Sequence, residues 1–546
     1  DAMEVLQILR ATSQSSRKKR RFPQKQTLYG IISKSANKQI SITETVDRYF
    51  SQFSNEAAAI EDLAKEYKAY KKRHGVMDFD DLLLETRNLM QSNEQLAAGI
   101  TKQHRYVMVD EYQDTNRVQA DLTALFNQYH GNVMAVGDDA QSIYSFRGAD
   151  HHNIMDFPER FSGTKIIKLE ENYRSTPSIL NVTNKLLEQA ETRYDKKLFS
   201  RADDGDKPAL VKAPDEEDQS RFISQVVLQL REEGIDLERM AVLFRNSRDS
   251  FDLELELNRK NIPYVKYGGQ KFTDAAHIKD VLAHFRVIAN PMDTIAWNRV
   301  LMLLDGVGPK TARDLFDWIR QADNPFHLTE WPGLSDRYKQ QIQALADLLR
   351  KINNGDFSPD RIAEMVNDYY RHFCEKRFDD YPKRLKDLDT FAAIAGQYSS
   401  IRQLLEDLAL EPIDTTAIDT EREQKDEEPL VLSTIHSAKG LEWHTVFVIQ
   451  CIDGVIPSAF SVDDKEELEE ELRLLYVACT RAKQNLFLSY PVTSASGSSY
   501  QATSYLTQLS RFLEHIDETL LDRWMLVEEE QQQHSLPEDQ NPPYLR

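Results

Sequence analysis

Asp110 and Glu111 stand directly after the apolar run Tyr106-Val-Met-Val109 and are followed by Tyr112-Gln113-Asp114-Thr115. Paired carboxylates at the end of a strand suit Mg²⁺ ligation by the first and polarisation of an attacking water by the second. Taken alone, the pair also fits a solvated strand-to-helix turn with the Asp as a cap. Further along lies Gly137-Asp-Asp-Ala-Gln141-Ser-Ile-Tyr144-Ser-Phe146-Arg147-Gly148, whose Gln141 supplies the amide that a water-positioning site needs beside its carboxylates. Tyr144, Phe146 and Arg147 put aromatic rings next to a guanidinium, which suits base stacking and phosphate contact, with core packing the other reading of Phe146. Gly306-Val-Gly308-Pro-Lys310-Thr311 is a glycine turn between two helices that lets backbone N–H groups approach a phosphate; a tight helical hairpin without ligand stays open beside it.

The elements that must position these residues are legible as changes of period. Residues 1 to about 102 carry helical spacing, as in Ile60-Glu-Asp-Leu63-Ala-Lys-Glu-Tyr67 and Phe79-Asp-Asp-Leu82-Leu83, and predict a helical lobe. Within it the basic run Arg17-Lys-Lys-Arg-Arg21 reads as a solvated face, with phosphate contact as the alternative. From Tyr106 short apolar runs stop at polar residues. They are Tyr106 to Val109, Asn132 to Val136, Ile166 to Leu169, Ala241 to Phe244, Val431 to Leu432, Val446 to Ile449 and Leu486 to Leu488. Such runs, alternating with helical patterns, predict parallel sheets buried on both faces, with ligands beyond the carboxyl ends of the strands. Between 269 and 428 helical patterns follow one another, including His277 to Ile288, Tyr338 to Ile352, Asp360 to Phe373 and Ile401 to Leu410. The acidic stretch Glu411 to Pro429 reads as a linker, and Glu528 to Arg546 as a disordered tail.

Length and composition bound the class. A chain of 546 residues predicts about three to four domains. With 40% hydrophobic and 29% charged residues, it has the balance of a soluble globular protein. No apolar stretch approaches a membrane span, and the first residues lack the pattern of a secretion signal. The start at Asp1 without a methionine reads as a fragment or trimmed chain. Cys374, Cys451 and Cys479 lie too far apart for a zinc site or disulfide framework and fit a reducing cytoplasm. A formal net charge of −21 weighs mildly against a polyanionic partner, although a phosphate track needs only a local positive or neutral lining.

Five ordered strings then resemble motifs II to VI of the UvrD/Rep/PcrA group of superfamily 1 DNA helicases. They are Asp110 to Thr115; Gly137 to Gly148; Leu169-Glu-Glu-Asn-Tyr173-Arg174-Ser175; Leu432-Ser-Thr434-Ile-His436-Ser-Ala-Lys-Gly-Leu-Glu442-Trp443; and Glu469 through Tyr476 to Thr480-Arg481-Ala482. The resemblance covers nearly the whole chain and implies ATP and Mg²⁺ as cofactors. Asp110 would hold Mg²⁺, Glu111 would activate the attacking water and Gln141 would sense the γ-phosphate. Tyr173 would stack on adenine. Arg174 and Arg481 would reach the γ-phosphate from the second α/β domain, so that closure of the interdomain cleft completes the site, and Glu442 would join the nucleotide site to the DNA track. Tyr144, Phe146, Arg147, Arg245, Thr434 and His436 would contact single-stranded DNA, and Gly306 and Gly308 the duplex. Phe146 stands where relatives commonly have Trp. In Phe244-Arg245-Asn246 the Asn falls one place early, which leaves its role open.

The implied fold is α/β: two RecA-like parallel-sheet motor domains, the first incomplete, with all-helical inserted subdomains. Residues 1–102 would form helical subdomain 1B, 103–170 the remaining part of domain 1A, and 171–268 the first part of domain 2A. Residues 269–428 would form helical insert 2B, 429–514 the second part of 2A, and 515–546 a partly disordered tail. No Gly-Lys dipeptide occurs in the chain, so the Gly-Lys-Ser/Thr loop that cradles a triphosphate is missing. Gly306 to Thr311 does not supply it, because Pro309 precedes Lys310. The first motor sheet should consequently expose apolar edges. The expected function of the intact protein is ATP-dependent 3′ to 5′ translocation and unwinding in DNA repair, replication or recombination. The expected partners are single-stranded DNA and single/double-strand junctions, with repair or replication proteins, in a bacterial cytoplasm, associated with the nucleoid and without a membrane. A non-catalytic DNA- or partner-binding remnant is the alternative, and a fused nuclease is not expected.

Overall fold

The computed structural model describes residues 2–12, 22–268, 275–409, 429–495 and 504–526. The basic run Arg17 to Arg21, the expected linker apart from Pro429, and the expected tail from Glu528 lie outside the described residues. The chain divides into two compact units. One comprises Asp1–Asn172, Leu186–Phe199 and Ser461–Val477; the other comprises Tyr173–Lys185, Ser200–Phe460 and Ala478–Arg546.

The first unit begins with helices α1 (Ala2–Thr12), α2 (Lys25–Lys38), α3 (Ile42–Tyr49), α4 (Ala57–His74), α5 (Phe79–Ser92) and α6 (Glu94–Gln103). In α4 the residues Ile60, Leu63 and Tyr67 fall on one stripe and are buried, as the three-to-four-residue spacing requires. They pack with Leu6, Leu28, Ile31, Val46 and Phe53 into the core of the lobe. α4 stops at Gly75, whose φ of +61° gives the left-handed turn a C-terminal glycine supplies. α5 restarts at Asp78, where a reciprocal capping box with Asp81 satisfies the first N–H groups. Lys71 sits 2.6 Å from each of these two carboxylates and ties the end of α4 to the start of α5. Phe79 and Leu82, read as apolar positions of the lobe, are instead 83% and 52% exposed, because α5 turns Met90 rather than its first turn into a core.

Strands β1 (Val107–Val109) and β2 (Val133–Ala135) pair in parallel in a two-stranded sheet, connected by α7 (Arg117–Asn127). α7 packs Val118 and Leu122 against Met90 and Ala97. The sheet is not buried on both faces as the apolar runs predict: Met108 is 76% and Met134 55% exposed. Nor does Ile166 to Leu169 form a strand. Those residues carry no strand or helix, and the adjoining Glu171 forms an isolated bridge to Phe199. A run of apolar residues becomes a strand only when a neighbour offers unpaired backbone groups, and none among the described residues does so here.

The second unit holds a seven-stranded, all-parallel sheet. Its strands are β3 (Ala209–Ala213), β4 (Met240–Phe244), β5 (Tyr264–Tyr267), β6 (Leu430–Thr434), β7 (Trp443–Val448) and β8 (Ala482–Pro491). A hairpin of β9 (Thr493–Ala495) and β10 (Ser504–Leu506) precedes the last strand, β11 (Asp522–Met525). The order is β11-β3-β8-β7-β4-β6-β5, with Phe244 opposite Thr434 and Tyr267 opposite Ser433. All five residues of β4 are buried, which explains its uninterrupted apolar run. β3, β5 and β11 do not stand out as apolar runs in the sequence; each contains a polar or charged residue.

Between β5 and β6 the chain is helical, from Ala276–Ala289 through Thr294–Leu301, Pro309–Ile319, Lys339–Asn353, Pro359–Arg377, Tyr381–Ala395 and Ile401–Ala409. Phe285, Trp297, Leu345, Tyr370 and Phe391 centre its core. The buried Asp280 is satisfied by Arg299 at 2.7 Å and by the Tyr370 hydroxyl at 2.5 Å. No helix among the described residues is long and apolar enough to cross a membrane. Cys374, Cys451 and Cys479 are buried thiols.

Candidate functional site

β1 ends at Val109 and delivers Asp110 and Glu111 to the surface, as expected of acids at a strand end. Glu111 takes a φ of +49°, a left-handed conformation that side chains rarely adopt, and its amide donates to Asp110 Oδ1 at 2.9 Å. Strain of this kind is stable only where neighbours hold it. The holding residue is Gln113, fully buried, whose Nε2 donates to Glu111 Oε2. Its Oε1 accepts the amide of Asp138 at 3.0 Å, and its carbonyl accepts the Ser142 hydroxyl at 3.1 Å. Gly137 is obligatory beside it, since a Cβ there would lie 2.5 Å from Gln113 Oε1 and 2.8 Å from Ile154 Cδ1.

Asp138 extends the network. Its Oδ2 accepts Gln141 Nε2 at 2.7 Å, and its Oδ1 accepts the Ala140 amide at 3.1 Å and the Lys196 ammonium. Lys196 also reaches Asp139 Oδ1 at 2.6 Å, while Asp139 Oδ2 accepts the Tyr194 amide at 3.0 Å. Burial pushes the Asp138 carboxyl up, but Lys196, Gln141 and the Ala140 amide together outweigh it and hold the group below its usual range. For Lys196 burial lowers and the two aspartates raise, with a net rise. Glu111 and Gln141 are thus joined through Gln113 and Asp138, with Lys196 tying Asp138 to Asp139. Among these, Gln113, Asp138 and Lys196 carry no role in the sequence reading. No spacing rule pairs position 138 with position 196.

The same segment places Tyr144 and Phe146 with ring centroids 5.9 Å apart. The Arg147 guanidinium lies 5.1 Å from the first ring and 5.5 Å from the second. Phe146 is 49% exposed, so its core-packing reading fails. Lys34 of α2 donates to the Phe146 carbonyl at 3.2 Å, and Gly148 lies against Asn37, where a Cβ would come within 2.7 Å. The lobe therefore braces the turn that presents the rings.

In the second unit Tyr173 is 86% exposed. Arg174 Nε donates to Glu442 Oε2 at 2.5 Å and its Nη1 to the Thr480 carbonyl at 3.4 Å; Lys483 reaches Glu442 Oε1 at 2.9 Å. The hydrogen bonds from Lys483 and Arg174 hold the Glu442 carboxyl below its usual range. Arg481 is 1% exposed and donates to the Leu441 carbonyl at 3.1 Å and the Thr480 hydroxyl at 3.2 Å. The three motif residues Arg174, Glu442 and Arg481 thus converge through backbone of positions 441 and 480, with Lys483 as a partner the sequence reading missed. The hydroxyl of Ser175 donates to the Ala482 carbonyl at 2.7 Å and locks the segment to the start of β8.

Arg245 and Thr434 follow from neighbouring strand ends, and Thr434 caps the short helix Ile435–Ala438 that carries His436. Asn246 forms a capping box with Asp249, donating to it from the backbone at 2.8 Å and from the side chain at 3.1 Å. Its early position gives it a local structural task. Gly306 has a φ of +86°, and a Cβ there would meet Arg337 Nε at 2.6 Å; Gly308 is the N-cap of Pro309–Ile319 with open space at its Cα. Among the described residues no group of three or more His, Cys, Asp or Glu side chains could hold a metal. Asp110 and Glu111 still fit Mg²⁺, which keeps several waters and takes one or two carboxylates together with phosphate oxygens.

A family model described as the UvrD-like helicase C-terminal domain matches residues 167–493, and one described as the UvrD/REP helicase N-terminal domain matches residues 1–162. A protein named ATP-dependent DNA helicase PcrA from Staphylococcus epidermidis is 32% identical over 502 residues, 86% of this chain and 68% of its own. One of the same name from Staphylococcus aureus is 32% identical over 485 residues, 84% of this chain and 65% of its own. The chain thus spans about two thirds of the length of these relatives. A solved structure titled as the C-terminal domain of a possible DNA helicase from a Lactobacillus covers 64% of this chain and 98% of its own. Its identity is 11% and its TM-score 0.25, too low to bear on the fold.

Proposed function

This chain belongs to the UvrD/REP family of helicases, and from that premise we propose that the protein couples ATP hydrolysis to 3′ to 5′ movement on single-stranded DNA and to unwinding at single/double-strand junctions. The observation that carries the reading is the hydrogen-bonded line from Glu111 through Gln113 and Asp138 to Gln141. It holds an acid in a strained backbone and an amide in fixed relation, which is what a water-positioning site for phosphoryl transfer requires. ATP supplies the transferable phosphoryl group and Mg²⁺ neutralises its charge. Asp110 would hold the metal, Glu111 would take the proton from the attacking water, and Gln141 would orient that water. Arg174 and Arg481 stabilise charge on the phosphoryl oxygens, with Glu442 and Lys483 setting the Arg174 guanidinium. Tyr173 offers its exposed ring to adenine. Tyr144, Phe146, Arg147, Arg245, Thr434 and His436 line the DNA track, and Gly306 and Gly308 approach duplex phosphates. The setting is DNA repair, replication or recombination at the nucleoid of a bacterial cytoplasm.

A second reading, binding without turnover, is favoured by one observation: the chain has no Gly-Lys-Ser/Thr sequence to cradle the triphosphate. The two are separated by ATP turnover, with and without single-stranded DNA, in this chain and in a version extended by any coding sequence upstream of Asp1. DNA-stimulated turnover in the extended version alone supports the motor; absence from both supports the second reading. In a version that turns over, Glu111→Gln should reduce kcat by at least about a hundredfold, the scale of a lost general base, while nucleotide binding survives. Parental turnover by that variant would remove Glu111 from the mechanism.

A further inference from the structure

The aromatic candidates for DNA contact, Tyr144 and Phe146, both belong to the first unit. In the second unit, the large aromatic side chains left exposed among the described residues are Tyr173, Tyr267 and Phe460. Tyr173 has a place in the nucleotide reading, and Phe460 has Lys386 over its ring at 5.8 Å. Tyr267 is unassigned. It is the last residue of β5, at the carboxyl end of the parallel sheet, opposite Ser433 of β6 and therefore one position from Thr434.

Three features fix its direction. Alternation puts Tyr264 and Lys266 on one face of β5, where Tyr264 is buried and the Lys266 side chain is 1% exposed, bonded to Glu254 at 2.6 Å. Tyr267 faces the other way and stays 49% exposed. Next, Gly268 takes a φ of +74° and lies so close to the Thr434–Ser437 turn that a Cβ would come within 2.3 Å of both hydroxyl oxygens. The backbone carrying Tyr267 is thereby seated on the turn that bears Thr434 and His436. Lastly, Arg245 leaves the end of β4, the strand on the other side of β6, so positions 245, 434 and 267 stand at the carboxyl ends of three neighbouring strands.

We propose that Tyr267 is a base-stacking platform for single-stranded nucleic acid on the second unit, the aromatic counterpart of the phosphate contacts at Arg245 and Thr434. The inference rests on the single-stranded DNA reading above. Stacking is sequence-tolerant and carries no ionic contribution, whereas each phosphate contact adds to the salt dependence.

The test is fluorescence anisotropy of a labelled oligothymidylate with this chain across a series of salt concentrations, with circular dichroism melts of each variant. Tyr267→Ala should weaken binding about tenfold at every salt concentration with the slope of log affinity against log salt unchanged. Tyr267→Phe should stay within about twofold of the parent, and Tyr267→Leu, which keeps apolar volume without a π face, should behave as Ala does. Arg245→Ala should instead flatten the slope by about 0.7. An oligonucleotide of abasic sites should erase the difference between parent and Tyr267→Ala. If the parent fails to bind, the single-stranded DNA reading falls, and the platform with it. If the parent binds and melting-competent Tyr267→Ala and Tyr267→Leu match it, only the platform is overturned.

Discussion

Lys196 shares one ammonium between Asp138 and Asp139, with side chains 13%, 29% and 3% exposed. Removing a buried cation leaves two carboxylates facing each other without compensation. Lys196→Met should therefore cost about 3 kcal/mol in urea unfolding of the chain at neutral pH. The Asp138→Asn/Asp139→Asn double variant, which removes the charges the lysine was balancing, should make the Lys196→Met change far less costly. A loss below about 1 kcal/mol in the parent background would mean the triad is solvated and contributes little. The pH dependence has a definite sign. Asp138 is depressed, so its contribution is present above the unfolded carboxylate value, about 3.9, and is lost as pH falls through the folded one. Lys196 is raised, so its contribution is present below about 10.4 and is lost as pH rises through its folded value. At this scale the sequence displayed the candidate reacting side chains Asp110, Glu111 and Gln141 through their types and order. It did not display Gln113 as the residue that holds Glu111, because an amide beside an acid is chemically neutral in one dimension. Only burial and the approach of Gly137 give it that task.

The helical segment between β5 and β6 shows how an element buries polar groups. His284, in the helix Ala276–Ala289, is fully buried; its Nδ1 bonds the Asp280 carbonyl at 2.8 Å. Burial, only partly offset by Asp280, pushes its pKa down to about 4. A histidine held neutral in the fold but free to charge in the unfolded chain destabilises the fold as pH falls below about 6.5, and the loss levels off near the folded value. Between pH 7 and 4 this segment should lose roughly 3 kcal/mol from His284 alone. Denaturant melts monitored by tryptophan fluorescence should show that His284→Leu flattens the dependence in this window, and an unchanged profile would mean that the imidazole charges within the fold. The periodicity of this region was readable: Tyr338 to Ile352 and Asp360 to Phe373 match Lys339–Asn353 and Pro359–Arg377 within a few residues. β5 was not readable, because Lys266 breaks its apolar run. Glu254, on the preceding helix, and the Ser247 carbonyl at 2.9 Å make that lysine buriable. Ile166 to Leu169 is the converse, an apolar run with no ladder to join.

Across the whole molecule the two parallel sheets differ in how completely they are covered. In the second unit β4, β6 and β7 lie inside a seven-stranded sheet with both faces packed. In the first, β1 and β2 are three residues each and expose Met108 and Met134. Backbone amides that open by local fluctuation exchange sooner than those requiring global unfolding. Native-state hydrogen exchange should find Val109 and Val136 exchanging at least about tenfold faster than Val242 and Leu432. Equal protection would show that the small sheet opens only with global unfolding. Net charge belongs to this scale as well. At −21 the chain as a whole repels DNA, so the proposed binding requires local contacts such as those inferred for Arg245 and Tyr267.

By itself the sequence determined the α/β class, the helical insertion, the family motifs and the identities of the residues proposed to meet nucleotide and DNA. These are properties of residue type, order and period, and they survive without coordinates. The tertiary structure decided which apolar runs become strands, that Glu111 sits in a left-handed backbone, that Lys196 neutralises Asp138 and Asp139, and that Tyr267 stands beside Thr434. The strands, the Lys196 ion pairs and the place of Tyr267 each depend on a partner far away in the chain, and Gln113, which holds Glu111, is itself fixed by Asp138. Burial can reverse the meaning of a charge or a ring, and no local pattern records which distant residue will arrive to do it.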